Sequence, residues 1–213
     1  MKEALLIVDL QKDFLPGGAL AVKNGDEIIP VINHLIDYFD LTLATKDWHP
    51  PDHISFAKNH DKKEGEVIQT AMGVKQILWP VHCVQNAPGA EFPESFHGRK
   101  VDKIFYKGTK NDVDSYSAFF DTARMSSTGL YRFLADLEIQ RLFICGLTTD
   151  YCVKFSVMDA LDLGFDVYLI QDACKPVNLQ ADDEEKALEE MQNSGAKLIN
   201  SNFLIKNKVR NKN

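Results

Sequence analysis

No apolar run in the sequence approaches the roughly 18 to 20 residues that a membrane-spanning helix needs. The short run after Lys2 ends at Asp9 with no small-residue cleavage site behind it, so it reads as a buried strand and not as a signal peptide. Cysteine is scarce. Cys83, Cys145, Cys152 and Cys174 show neither CxxC spacing nor a disulfide-dense pattern, and reduced thiols in a cytoplasmic enzyme are the expectation. Positive charge is also in deficit, with 24 Lys and Arg against 31 Asp and Glu and a formal charge of −7. That balance works against a nucleic-acid partner, which needs a basic face. The one basic cluster, Lys206, Lys208, Arg210 and Lys212, reads as a frayed, solvated tail over residues 206–213. Internal repeats, low-complexity stretches and linkers are lacking too, so residues 1–213 read as a single domain.

What the sequence does contain is an alternation. Short, continuously apolar runs at residues 4–8, 41–44, 103–106, 142–145, 167–170 and 197–199 are separated by helical patterns at 26–39, 129–137, 150–163 and 183–193. Strands apolar on both sides are strands covered by helices on both faces. The expectation is an α/β fold, a three-layer α/β/α sandwich around a mostly parallel sheet of about six strands. Two long segments break the alternation, Pro50–Gly98 and Gly108–Thr128, and long loops in a compact domain are usually functional.

Ligands of open parallel sheets bind beyond the carboxyl ends of the strands. The residues there are Asp9 after the first run, Thr45-Lys46-Asp47-Trp48-His49 after the second, Lys107 after the third and Gly146-Leu147-Thr148-Thr149-Asp150-Tyr151-Cys152 after the fourth. Cys152 falls in the first turn of a helix capped by Thr149 or Asp150. The helix dipole and a neighbouring ammonium lower such a thiol from about 8.5 to between ~3.5 and ~7.5, and free amides of the same turn can bind an oxyanion. Asp9 suits taking the thiol proton and returning it to a leaving amine. Lys107 suits holding Asp9 ionised. Asp47 and His49, with His53, His60 and His82 further on, are normal ligands for zinc, iron or manganese. Phe14, Trp48, Trp79 and Tyr116 lie in or beside these loops, and at least two of them suit the walls of a flat slot.

These segments together closely resemble the nicotinamidase/pyrazinamidase branch of the isochorismatase-like cysteine hydrolases. The resemblance is carried by Ala4–Phe14, Pro16-Gly17-Gly18-Ala19-Leu20, Thr45–His49, Trp79-Pro80-Val81-His82-Cys83, Tyr106-Lys107-Gly108 and Gly146–Val153. It implies a catalytic triad of Asp9, Lys107 and Cys152. It implies one divalent metal (Zn, Fe or Mn) on Asp47, His49 and His82, with His53 as fourth ligand and His60 as the alternative. It implies that Phe14 and Trp79 flank a pyridine ring, with Gln11, Tyr116 and Tyr151 completing the substrate set. It also implies a cis Leu147–Thr148 peptide whose Thr148 amide joins that of Cys152 at the oxyanion. The substrate implied is nicotinamide, with pyrazinamide beside it, and a homo-oligomer is compatible. Two alternatives stand: a related amidohydrolase for carbamoyl or ureido amides, which shares the triad without the Asp-His-His set, and a non-catalytic scaffold.

Overall fold

A computed structural model describes residues 1–210. Its frame is a six-stranded sheet: β1 (Lys2–Val8), β2 (Thr42–Asp47), β5 (Lys103–Lys107), β6 (Ile139–Leu147), β7 (Asp166–Lys175) and β8 (Lys197–Ile199). The spatial order is β5-β2-β1-β6-β7-β8, and every pairing within it is parallel. The α/β sandwich expected from the apolar runs is the fold observed. Residues Ala4–Val8 of β1 are completely buried, as a central strand between two helical layers must be.

Helix α1 (Ile28–Ile36) buries Ile28, Ile29, Ile32, Leu35 and Ile36, the three-and-four spacing of one helical face. It packs on β6 and β7 beside α5 (Ser201–Arg210). The layer made by α3 (Lys154–Asp162) and α4 (Asp183–Asn193) covers β7 and β8, and α2 (Leu130–Asp136) lies on β6. Helix α4 opens with Asp183, Glu184 and Glu185, where the dipole favours negative charge, and turns Ala187 and Met191 inward. Most of the buried apolar residues form one cluster on and around the sheet, while Phe56, Leu78 and Trp79 of the first long segment are buried outside it. Among the described residues no helix is long and apolar enough to cross a membrane.

Three elements depart from the sequence expectation. Strands β3 (Val67–Gln69) and β4 (Lys75–Ile77) form an antiparallel hairpin inside the first long segment, apart from the main sheet. The basic tail is not frayed from residue 206, because α5 continues to Arg210; the remaining residues, Lys212 among them, lie outside the described part. The helix carrying Cys152 begins with a π turn, Thr149–Val153, closed by Val153 N–H on the Thr148 carbonyl at 3.0 Å.

The strand order reverses direction between β1 and β6, which lie side by side at the sheet centre. Such a switch point opens a crevice at the carboxyl ends of the two strands. The residues that follow β1 and β6 are Asp9 and the turn leading to Cys152.

Candidate active site

At the switch point the backbone is unusually close-packed. Gly146 has φ +120°, and a Cβ there would lie 2.1 Å from the Val8 carbonyl oxygen, so only glycine lets β6 pass β1 at this height. Asp9 itself has φ +46°, a left-handed conformation that Asp tolerates and that turns its side chain out of the strand direction. The Leu147–Thr148 peptide bond is cis. Thr148, in extended backbone, is the residue that precedes the turn. This corrects the capping expectation: neither Thr149 nor Asp150 stands at the cap, and the Asp150 carboxylate instead accepts the Val177 and Asn178 N–H groups.

Lys107 organises the buried centre. Its Nζ lies 2.8 Å from Asp9 Oδ2, donates to Asp47 Oδ1 at 2.5 Å and to the Ser115 carbonyl at 2.9 Å, and stands 3.3 Å from Cys152 Sγ. Asp9 Oδ1 accepts the Thr45 hydroxyl at 2.6 Å. Lys107, Asp9, Asp47, Cys152 and Thr45 are all at least nine-tenths buried. Burial pulls the Lys107 ammonium down, but the carboxylates of Asp47 and Asp9 outweigh it and hold its pKa well above the usual lysine range. Burial raises Asp9 to about 6, against the pull of Lys107. A carboxylate tuned that close to neutrality is an effective general base. The thiol departs from the sequence expectation. Burial pushes Cys152 well above the usual cysteine value, and the Lys107 charge only opposes it. The resting state is therefore a neutral thiol beside a base, and the lowered thiol pKa expected from the helix dipole is not found.

Asp47 couples this centre to a second one. Its Oδ1 faces Lys107, and its Oδ2 lies 3.6 Å from His49 Nε2 and 3.9 Å from His82 Nε2. Burial would raise its pKa, but Lys107 and His49 outweigh that and hold the carboxyl far below the ordinary range. His49 Nδ1 pairs with the Gly108 carbonyl at 2.9 Å and His82 Nδ1 with the Pro80 carbonyl at 2.8 Å. Both rings therefore turn Nε2 toward Asp47, as second-shell bonds do for metal ligands. Gly108, at φ +60°, leaves room for this, because a Cβ would meet the His49 ring at 2.4 Å. Burial, then the charge of His49, lowers His82 to about 4, which leaves it neutral as a ligand must be. Asp47, His49 and His82 each offer an atom within 4.8 Å of the others, a set able to hold a metal ion.

Loop architecture makes this set. His49 pairs with Val84 and Phe56 with Trp79 as isolated bridges, which fold the segment after β2 back over the sheet. Asp13 Oδ2 accepts the Cys83 N–H at 2.7 Å and fixes the turn behind His82. The expected fourth ligand, His53, is not within the Asp47-His49-His82 set but forms with His49 and Asp114 a second set able to hold an ion. Its ring stacks on His49 at 4.0 Å and 29°, and its Nε2 faces Asp114 Oδ1 at 3.9 Å with no hydrogen-bond partner. Burial lowers His53 to about 3. His60 pairs its Nε2 with the Ile54 carbonyl at 2.7 Å and, among the described residues, belongs to no cluster able to hold a metal ion.

One cavity is lined by residues of both centres. Cys152 and Thr148 line one part, Asp47, His49 and His82 another, and Phe14, Trp79, Tyr116 and Tyr151 give aromatic walls. Trp79 meets Tyr151 edge-on at 4.9 Å and donates its Nε1–H to the Tyr116 hydroxyl at 3.0 Å. Trp48 packs against Tyr106 and does not line the cavity. Gln11 requires a correction. It does not line the cavity; its Oε1 accepts the Asp47 N–H at 2.8 Å, and its Nε2 donates to the Asp47 carbonyl at 2.7 Å and the Ala90 carbonyl at 3.0 Å. Its amide is spent on holding Asp47. Leu20, Asp114 and Val177 line the cavity without having been expected there. Asp114 carried a weak signal, as an acid in the second long loop, and Leu20 one as the last residue of the Pro16–Leu20 motif, whereas Val177 carried none beyond being apolar.

A parallel α/β sandwich with a base, an ammonium and a thiol gathered at its switch point defines a class of hydrolase. The chain belongs to the isochorismatase family, whose domain it matches over residues 3–203, and the resemblance read from the motifs is borne out. It is 47% identical over 199 residues to a nicotinamidase of Escherichia coli (strain K12), spanning 92% of this chain and 93% of that one. Its structure is similar to that of a nicotinamidase/pyrazinamidase from Acinetobacter baumanii, with TM-score 0.92 and 41% identity over 95% of this chain and 98% of the other. It is similar also to a pyrazinamidase of Pyrococcus horikoshii in complex with zinc, with TM-score 0.74 and 40% identity over 94% and 99% of the two chains.

Proposed function

We propose that this protein is a nicotinamidase that hydrolyses nicotinamide to nicotinate and ammonia through a Cys152 thioester, with pyrazinamide as a second substrate and residues 1–213 acting as one domain. The observation that carries the reading is one cavity whose walls hold both Cys152, backed by the buried Asp9 and Lys107, and the Asp47-His49-His82 set. A thiol and a base alone suit many amides. The histidine set and the aromatic walls suit a flat ring that carries an electron-pair donor.

Asp9 takes the proton of the Cys152 thiol as sulfur attacks the carboxamide carbon, and the carbonyl electrons move onto oxygen. The backbone N–H groups of Thr148 and Cys152, at the start of a helical turn where such groups lack intrahelical partners, stabilise that oxyanion. Asp9 then delivers the proton to the amide nitrogen, the C–N bond breaks, and ammonia leaves a thioester behind. Water enters, Asp9 takes one of its protons, and the new hydroxyl attacks the thioester carbon. As the C–S bond breaks, Asp9 returns its proton to sulfur, and the nicotinic acid released gives up its carboxyl proton to water as nicotinate. Lys107 remains charged throughout and balances Asp9 and the developing thiolate. A divalent metal (zinc, iron or manganese) held by Asp47, His49 and His82 would supply a Lewis-acid anchor for the ring nitrogen. Phe14, Trp79, Tyr116 and Tyr151 orient the ring.

The test is ammonia release from nicotinamide, with metal content determined on the same sample. The expected result is one ammonia per nicotinate formed and about one metal ion per chain. Absence of ammonia release from metal-loaded protein overturns the reading.

A further inference from the structure

Asp150 stands two residues before Cys152, inside the π turn, and its carboxylate is buried. Its two oxygens are divided between two backbone donors: Oδ1 accepts Val177 N–H at 3.0 Å and Oδ2 accepts Asn178 N–H at 2.8 Å. Both donors belong to the loop that leaves β7. Asn178 has φ +55°, and its side chain accepts the Glu184 N–H at 2.9 Å, so the clasp continues into the first turn of α4. Residues 178–182 are exposed. Val177, at the start of that exposed run, is on the wall of the cavity that holds Cys152. The nucleophile's own turn therefore fixes the position of an apolar wall residue contributed by a distant part of the chain.

We propose that Asp150 is a positioning residue that pins Val177 against the substrate ring, and that the pair sets which ring substituents the slot admits. Hydrogen bonds to an ionised carboxylate are the strong kind, and losing it leaves two backbone N–H groups without their acceptor. A wall held in this way rejects extra bulk. Released, it yields. The inference rests on the nicotinamidase reading.

The experiment measures kcat/KM for nicotinamide and for ring-methylated nicotinamides in wild type, Val177→Ala, Asp150→Ala and the double variant, with a thermal melt on each. Val177→Ala is expected to raise the ratio of methylated to unmethylated substrate about tenfold, the scale of one methylene in an apolar pocket. Asp150→Ala is expected to shift the ratio in the same direction, and the double variant to go no further than the larger single shift, since both act through one wall. If Asp150→Ala does not fold, Asp150→Asn, which keeps one acceptor oxygen, should give an intermediate ratio. The inference is overturned if the Asp150 variants lower all substrates by one common factor, if Val177→Ala leaves the ratio unchanged, or if the two shifts add independently. Wild type inert toward nicotinamide would overturn the nicotinamidase reading itself, whereas active wild type with unmoved ratios overturns only the clasp.

Discussion

The two ends of the cavity are built in opposite ways. The thiol end stands on strand termini, and one ammonium ties it together: Lys107 contacts Asp9, Asp47, Ser115 and Cys152. The histidine end stands on loops. Its rings are fixed at Nδ1 by Gly108, Ser55 and Pro80, while His53 Nε2 is buried without a partner and His49 and His82 turn Nε2 toward one carboxylate. A buried polar atom left unpaired is costly unless something arrives to pair it. Atoms without a hydrogen bond stand at both ends, Asp9 Oδ2, Thr148 Oγ1 and Thr149 Oγ1 on the thiol side and His53 Nε2 on the other. What separates the ends is that ion pairs to Lys107 tie the thiol side together, while the histidine side gathers ligand atoms able to hold an ion. Asp47 belongs to both.

The sharpest way to break this comparison is to remove the sulfur. Cys152→Ala should abolish ammonia release, lowering kcat about ten-thousandfold or more, as loss of a nucleophile does elsewhere. The Lys107 ion pairs do not depend on the sulfur, so a thermal melt should stay within a few degrees of wild type. Activity within tenfold of wild type would remove Cys152 from the mechanism, and a collapsed fold would show that the thiol end is not self-supporting.

Stripping metal with a chelator addresses the other end. The expected outcome is a KM for nicotinamide raised about tenfold or more, the equivalent of about 1.4 kcal/mol of lost anchoring, with kcat changed less. The rate at which an alkylating reagent modifies Cys152 should be the same before and after chelation, because Lys107 and Asp9 remain in place. An unchanged KM would detach the ring from the histidine end. A changed alkylation rate would show that Asp47 transmits the loss to the thiol end, and the two ends would then be one unit.

The same division decides what could be read from the sequence. The six sheet strands were legible because each contains a short apolar run, and Asp9, Asp47, Lys107 and Cys152 because parallel strands deliver their chemistry at one edge. Strand β2 extends further than its apolar run, since Lys46 and Asp47 are buried by pairing with Glu91 and Lys107, and charged residues do not announce burial. The β3–β4 hairpin was not legible, for Val67 and Gln69 are exposed and Lys75-Gln76-Ile77 carries no apolar alternation. The π turn was not legible either, because a helical pattern does not reveal which carbonyl its first amides reach. Loop residues such as Asp114 and Val177 come to the cavity through tertiary bonds, to Gln76 and Asp150, that have no local signature.

Gln11 gives the smallest effect and the finest test, because sequence placed it at the ring and the structure places it behind Asp47. Gln11→Leu removes the acceptor of the Asp47 N–H and the donor to two buried carbonyls, which should cost about 1–3 kcal/mol of stability, read in a denaturant melt. Since the lost bonds hold the backbone of a residue in the Asp-His-His set, metal affinity should fall about tenfold, the lower end for supporting residues of metal sites. Alkylation of Cys152 should be unaffected. If Gln11→Leu instead raised KM for nicotinamide with metal affinity and stability intact, Gln11 would touch the ring after all. The wiring of Asp47 from behind would then be incidental, and the histidine end would owe its geometry to the loops alone.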